Sequence, residues 1–216
     1  MSISGGDSVS DWEQIAPLLR PVLRREADQR TEGAPDDAPV SRAALPYLVE
    51  RVVIDRAGAV RFVTERGIQD WGVDADTVYE TARMNMAELA MSTLTAFEPP
   101  NGTGVMEFSD ANGESYVGSL PLIGGWLAGV SARTGTRPLV FLPGQLGMFI
   151  VLGVTDETLI QVLELADRQY DEAAQSLSPV PYTVDERGEL TPFHVQPGHP
   201  AWEALTRAEA RLAVHT

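Results

Sequence analysis

Four groups of residues in this chain have types and spacings that chemistry uses. His194 and His199 stand five apart in HVQPGHP. Pro197 and Gly198 between them prevent a helix from bringing both rings onto one face, so a metal there needs ligands from elsewhere. The segment reads as an exposed linker. The run Asp110-Ala111-Asn112-Gly113-Glu114 is oxygen-rich like a calcium loop. EF-hand spacing, however, puts Phe108 at the first ligand position and Ser119 at the twelfth, where carboxylates are needed. The acidic pairs Asp36-Asp37, Asp156-Glu157, Asp171-Glu172 and Asp185-Glu186 fall at expected turns, helix starts and solvated helix faces, where capping and solvation are their roles. The fourth group is Arg61, Glu65, Arg66 and Asn85, at the junction of an expected strand with a long helix. Two guanidiniums there can hold a carboxylate or phosphate bidentately. These four are the candidate binding residues, and the competing reading is a structural ion pair of Arg61 or Arg66 with Glu65 or a nearby carboxylate.

The composition removes other chemistries. The 216 residues include 31 Asp plus Glu against 16 basic residues, all of them arginine, and no cysteine. Without Cys there is no thiol nucleophile, disulfide, Fe–S cluster or Cys-bound zinc. Without Lys there is no Schiff base, no pyridoxal anchor and no Walker-type phosphate lysine. No Gly-x-Ser-x-Gly elbow occurs, and neither Gly124-Gly125 nor Gly144 to Gly147 has the strand–loop–helix setting of a phosphate loop. The expectation is therefore no cofactor, no metal and no catalytic constellation. A formal charge of −15 argues against nucleic acid and anionic membranes as partners. The uncharged run 138–155 is broken by Pro143, Gly144 and Gly147, which does not suit a bilayer span. MSISGGDSVSD has neither a basic nor an apolar leader segment, so a cytoplasmic location is expected.

The elements that must position these residues follow from patterning. Charge is uneven: residues 98–155 hold four acids, two arginines and 11 of the 19 glycines. That middle reads as interior sheet and tight turns, and the flanks as helices with solvated faces. Ser10 and Glu13 fit a capping box before a short helix, and an extended run follows over 18–24. Residues 31–41 contain no large apolar residue except Val40 and are expected to form a mobile loop. Strands at 47–54 and 59–64 form a hairpin. Asp74 or Asp76 caps a helix running to about Phe97, with Val78, Ala82, Met86, Leu89 and Leu94 at helical spacing. A second hairpin is expected from 105–108 and 116–117 around the Asn112-Gly113 turn, then a glycine-interrupted helix over 119–132. A third hairpin joins 139–142 to 148–152. A helix over 156–176 presents Leu159, Val162, Leu163, Ala166 and Tyr170. A fourth hairpin, 180–184 with 189–193, and a helix over 201–214 complete the chain. Hairpins alternating with helices specify an α+β fold with a mostly antiparallel sheet. The organisation is a helical lead-in over 1–18, a single domain over 19–193, and a linker with a short helix over 194–216.

Within this frame, Asp55, Arg61, Glu65-Arg66, Gly72 and the pattern Val78-x-Glu80-x-Ala82-x-x-Asn85 keep an ungapped spacing across 53–85. Pro21-Val22-Leu23-Arg24, Pro143-x-Gln145, Gly188 and Pro192 add to it. On these motifs the chain resembles the YtpQ-like family of uncharacterised bacterial cytoplasmic proteins, over about residues 19–193. The resemblance implies a common fold and no established activity, so it assigns no catalytic residue. The residues themselves favour a non-enzymatic binding or adapter protein with another protein as partner. Two alternatives stand beside it. One is a small-molecule binder or hydrolase using Arg61, Arg66, Asn85 and a carboxylate; the other is an acidic immunity-type inhibitor of a basic toxin.

Overall fold

Valine-rich runs make the strands, and their two-residue period decides what each sheet covers. The structure is a computed structural model that describes residues 12–26, 38–56, 59–98, 104–110, 113, 115–188 and 190–213. Among these residues are seven α-helices and nine strands in two antiparallel sheets, an α+β fold as the patterning predicts.

In the first sheet, β3 (Leu48–Arg56) is central. It pairs along one side with β1 (Leu19–Arg25). Its other side is shared by β2 (Ser41–Leu45) over residues 48–51 and β4 (Ala59–Phe62) over 53–56. The second sheet has the order β5 (Gly104–Ser109), β7 (Gly147–Leu152), β6 (Leu139–Gly144), β8 (Ser176–Val184), β9 (Leu190–Pro192). Among the described residues β5 and β9 are its two edges.

Helices and sheets alternate in layers. Helices α2 (Glu65–Trp71) and α3 (Ala75–Met84) cover one face of the first sheet, where Ile68, Val78, Tyr79 and Ala82 pack on Leu19 and Val52. The other face meets the second sheet: Leu23, Leu45 and Leu48 share a core with Val140, Leu142, Ile150 and Tyr182. Helices α4 (Ala87–Ala96) and α5 (Trp126–Thr134) close that core. The outer face of the second sheet, through Leu139, Phe141, Phe149 and Val151, is covered by α6 (Asp156–Glu172). There Phe141 and Phe149 stack with centroids 4.6 Å apart. Helix α7 (Trp202–Ala213) completes the layer through Leu205, Ala208 and Leu212. Strands β6 and β7 are thus buried on both faces, which is why their sequence is an unbroken apolar run.

Four local features differ from the sequence expectation. Strand β2 emerges where a loop was expected to end, because its residues SRAAL show no apolar alternation; its pairing partner, β3, supplies the order. Of the loop expected over 31–41, residues 31–37 lie outside the described residues, as does Ser10 of the expected capping box; Pro39 bridges Thr64 and Ser41 opens β2. Helix α2 is additional, capped by Thr64, whose hydroxyl accepts from the Gly67 N–H at 3.2 Å, and ended by Gly72 at φ +67°. The helix expected from 74 to 97 breaks at Asn85 into α3 and α4. The hairpin expected between 105–108 and 116–117 does not form. The Asp110 carboxylate instead accepts from the Ser115 and Tyr116 N–H groups, curling the chain into a 3-10 segment, Val117–Leu122. Strand β5 pairs with β7, Val105 opposite Val151 and Glu107 opposite Phe149. The lead-in before residue 18 includes α1 (Trp12–Ile15) and a 3-10 turn, Ala16–Leu18.

Candidate functional site

Charge is concentrated inside the first sheet. Glu50 lies on β3 between two paired strands, with an exposure of 0%. An isolated carboxylate in such a place costs several kcal/mol, and two arginines surround it. Arg83, in the last turn of α3, donates from Nε to Oε1 at 2.9 Å and from Nη2 to Oε2 at 2.6 Å. Arg42, on β2, donates from Nε to Oε2 at 2.8 Å. Its guanidinium lies 4.0 Å from the centre of the Tyr79 ring, and its Nη1 reaches Asp76 at 3.8 Å. Tyr79 is buried, and its hydroxyl finds no hydrogen-bond partner among the described residues. Burial first, and the Glu50 charge second, push its pKa up to about 12. The cluster ties β2, β3 and α3 together. Its carboxylate is sealed from solvent, so its chemistry is structural rather than catalytic.

The four candidate residues of the sequence lie close to this cluster in the chain but differ in role. Arg61 is exposed on β4, opposite Ile54. Glu65 and Arg66 are exposed in the first turn of α2. Neither Arg61 nor Arg66 has an ion pair among the described residues. Asn85 is half-buried and turned the other way. Its Nδ2 donates to the carbonyls of Ala16, at 2.7 Å, and Leu19, at 3.0 Å, fixing the chain entering β1. That tether also marks the break between α3 and α4. None of the four lines either of two cavities found at the second sheet. The sequence located the arginine-rich region but not the working pair. Arg42 sits in a stretch without strand patterning, and Arg83 carries no sign of a partner 33 residues earlier.

Two cavities sit at opposite ends of α6, whose 17 residues span about 25 Å at the helical rise per residue. At its C-terminal end is a groove of about 440 Å³. Phe149 and Met148 form part of its floor, Gln169 of α6 with Ala173 and Ala174 just beyond the helix one wall, and the Pro143–Gly147 turn its end. The groove exists because α6 lies over β6 and β8, meets β7 through Phe149 and Val151, and stops short of β5. On that face β5 presents Val105, Glu107 and Ser109, all exposed, while Met106 and Phe108 point into the core between the sheets. Among the described residues, no strand pairs with the outer edge of β5. Gly147 permits the close approach of β5 to the turn, since a Cβ there would lie 2.6 Å from the Phe108 carbonyl oxygen.

At the N-terminal end of α6 is a cavity of about 490 Å³ lined by Arg137, Asp156, His194 and His199 over Leu139, Leu159 and Phe193. The histidines thus come to one cavity, which their linker-like spacing did not reveal. His199 accepts the Ala201 N–H at Nδ1, 3.1 Å, and faces Asp156 Oδ1 through Nε2 at 3.2 Å. The neutral ring therefore carries its proton on Nε2 and donates it to the carboxylate. His194 Nδ1 lies 3.1 Å from Glu209 Oε1. No group of three or more metal-ligating side chains occurs among the described residues, and no helix among them is long and apolar enough to cross a membrane. No protein-family model, no curated protein and no solved structure matches this chain.

Proposed function

We propose that this protein is a non-enzymatic binding or adapter protein that takes up an extended, basic segment of a partner protein along β5. The observation that carries this reading is the open edge of β5 lying directly beside the groove at the end of α6. An open edge offers a row of backbone donors and acceptors to an added strand, and an adjoining pocket selects one of its side chains. Sheet edges that must stay unpaired usually carry lysine, proline or a bulge. Strand β5, GVMEFS, has none of these and pairs with β7 without a register shift. Basic character follows from charge complementarity: the chain carries −15, and Glu107 sits on the groove face of β5. The motif resemblance to the YtpQ-like family, which carries no established activity, is the ground for proposing a bacterial cytoplasmic setting.

A display library of random extended peptides, selected on the wild-type protein, tests the reading. The expected winners alternate apolar residues with Arg or Lys. Their affinity, measured by fluorescence polarisation, falls at least about tenfold in Val105→Lys, which charges the exposed edge, and in Ala174→Arg, which fills the groove from its exposed wall. Winners that bind both variants as tightly as wild type would overturn the proposal.

A further inference from the structure

The cavity at the N-terminal end of α6 has no part in strand addition at the groove, yet its lining has the makeup of a small-molecule site. Its volume, about 490 Å³, is in the range of metabolite pockets, and such pockets combine an apolar floor with a few placed polar groups. Leu139 and Leu159, both buried, and Phe193 supply the floor.

The polar rim is already sorted by hydrogen bonding. His199 is fixed in orientation by the Ala201 N–H and by Asp156, and His194 is held by Glu209. Of the arginines on these helices, Arg211 is taken up by Asp167 and Asp171 on α6, and neither Arg168 nor Arg207 lines the cavity. Arg137 is different. It precedes β6, is exposed at the rim, and has no carboxylate within ion-pair distance among the described residues. In a chain with 31 acidic residues, an arginine unclaimed by any of the described carboxylates, above an apolar floor, is an available fork for a planar or tetrahedral oxyanion.

We infer that this cavity binds a small organic anion, a carboxylate or a phosphate monoester carried on an apolar body. Arg137 grips the anionic head and the Leu139, Leu159 and Phe193 surface takes the body. Asp156 sets the limit on charge: its carboxylate shares the rim, so a single compact head is accommodated and a polyanion is repelled.

Isothermal titration of the full chain with phenylacetate and with phenyl phosphate tests this, because the two probes share a body and differ only in the head. At least one of them binds the wild type, and the stronger of the two names the head group. Arg137→Gln, a substitution at an exposed position, weakens that probe about tenfold or more with an unchanged circular dichroism spectrum, and Arg137→Lys retains part of the affinity. Ala174→Arg, at the far end of α6, leaves it unaltered. Absence of binding by both probes up to about 10 mM, or equal binding by wild type and Arg137→Gln, would overturn the inference.

Discussion

Replacing Glu50 by glutamine keeps the shape of the side chain and removes its charge, at the most enclosed polar position of the first sheet. The carboxylate accepts three guanidinium N–H groups, at 2.6, 2.8 and 2.9 Å. Glutamine has one carbonyl oxygen, so whichever way the amide turns, its NH₂ faces an arginine donor. At least one bond is lost outright, and those that remain become bonds to a neutral acceptor. A hydrogen bond to a charged group contributes about 1.5–3 kcal/mol and a neutral one about 1 kcal/mol. One charged bond lost, at about 1.5–3 kcal/mol, and two weakened but still donated by charged guanidiniums bring the loss to about 3 kcal/mol. That is the low end of the roughly 3–5 kcal/mol for breaking a buried pair, as suits arginines that keep some water: Arg42 and Arg83 are 31% and 35% exposed. Urea unfolding followed by circular dichroism at neutral pH reads this as a midpoint lowered by about 1 M or more. Arg42→Gln leaves the bidentate Arg83 pair in place and removes one charged bond, at a cost of about 1.5 kcal/mol. Replacing Glu50 and Arg83 together by leucine recovers part of the loss, because the one charge left over, Arg42, is 31% exposed and keeps Asp76 at 3.8 Å. An unchanged midpoint for Glu50→Gln, or a larger loss for Arg42→Gln than for Glu50→Gln, would refute the reasoning.

Three other outcomes follow from the packing. Gly147→Ala drives a Cβ to 2.6 Å from the Phe108 carbonyl oxygen, so the end of β5 shifts. Unfolding measurements should show a loss of about 1–3 kcal/mol, and peptide binding at the groove should weaken with it. Tyr182→Phe removes the hydroxyl that joins the two sheets by donating to the Pro46 carbonyl at 2.9 Å. It leaves that acceptor unmatched and lowers stability by about 1–2 kcal/mol, read in the same urea assay. Tyr79 and Tyr116 have pKa values raised to about 12, chiefly by burial. A phenol whose folded pKa exceeds its unfolded value stabilises the fold fully below pH about 10 and ceases to do so as the pH rises through about 12. Absorbance at phenolate wavelengths should show these two ionising late, with unfolding beginning in that window; their titration near pH 10 in the folded protein would contradict the packing.

Much of the fold was legible because burial on both faces leaves a strong mark. Strands β6 and β7 and helix α6 read directly from their apolar runs and spacing, since Leu139, Phe141, Phe149 and Val151 face α6 while Val140, Leu142 and Ile150 face the other sheet. What failed to show depends on partners distant in sequence. The small residues of β2 become a strand only because β3 offers an edge. The Asn112-Gly113 signal does register, in a Gly113 φ of +69° and the Gly113 N–H bonded to the Asp110 carbonyl, but the Asp110 carboxylate takes the Ser115 and Tyr116 N–H groups and β5 pairs with the distant β7 instead. The same limit governs the sites. Arg61, Glu65, Arg66 and Asn85 were chosen from local charge, whereas Arg42, Glu50 and Arg83 meet only in the folded sheet. The groove and the histidine-lined cavity are made by where α6 begins and ends over the second sheet, which no local pattern records. Asn85 did carry a local role: its side chain ends one helix and anchors the start of β1.

Amide hydrogen exchange in the presence of a selected basic peptide tests strand addition most directly. Pairing of the peptide with the open edge slows exchange within Gly104–Ser109, the residues of β5, and leaves β9, at the opposite edge, unchanged. Slowed exchange confined to β9, to the first sheet or to the cavity at the N-terminal end of α6, with β5 unaffected, would contradict it.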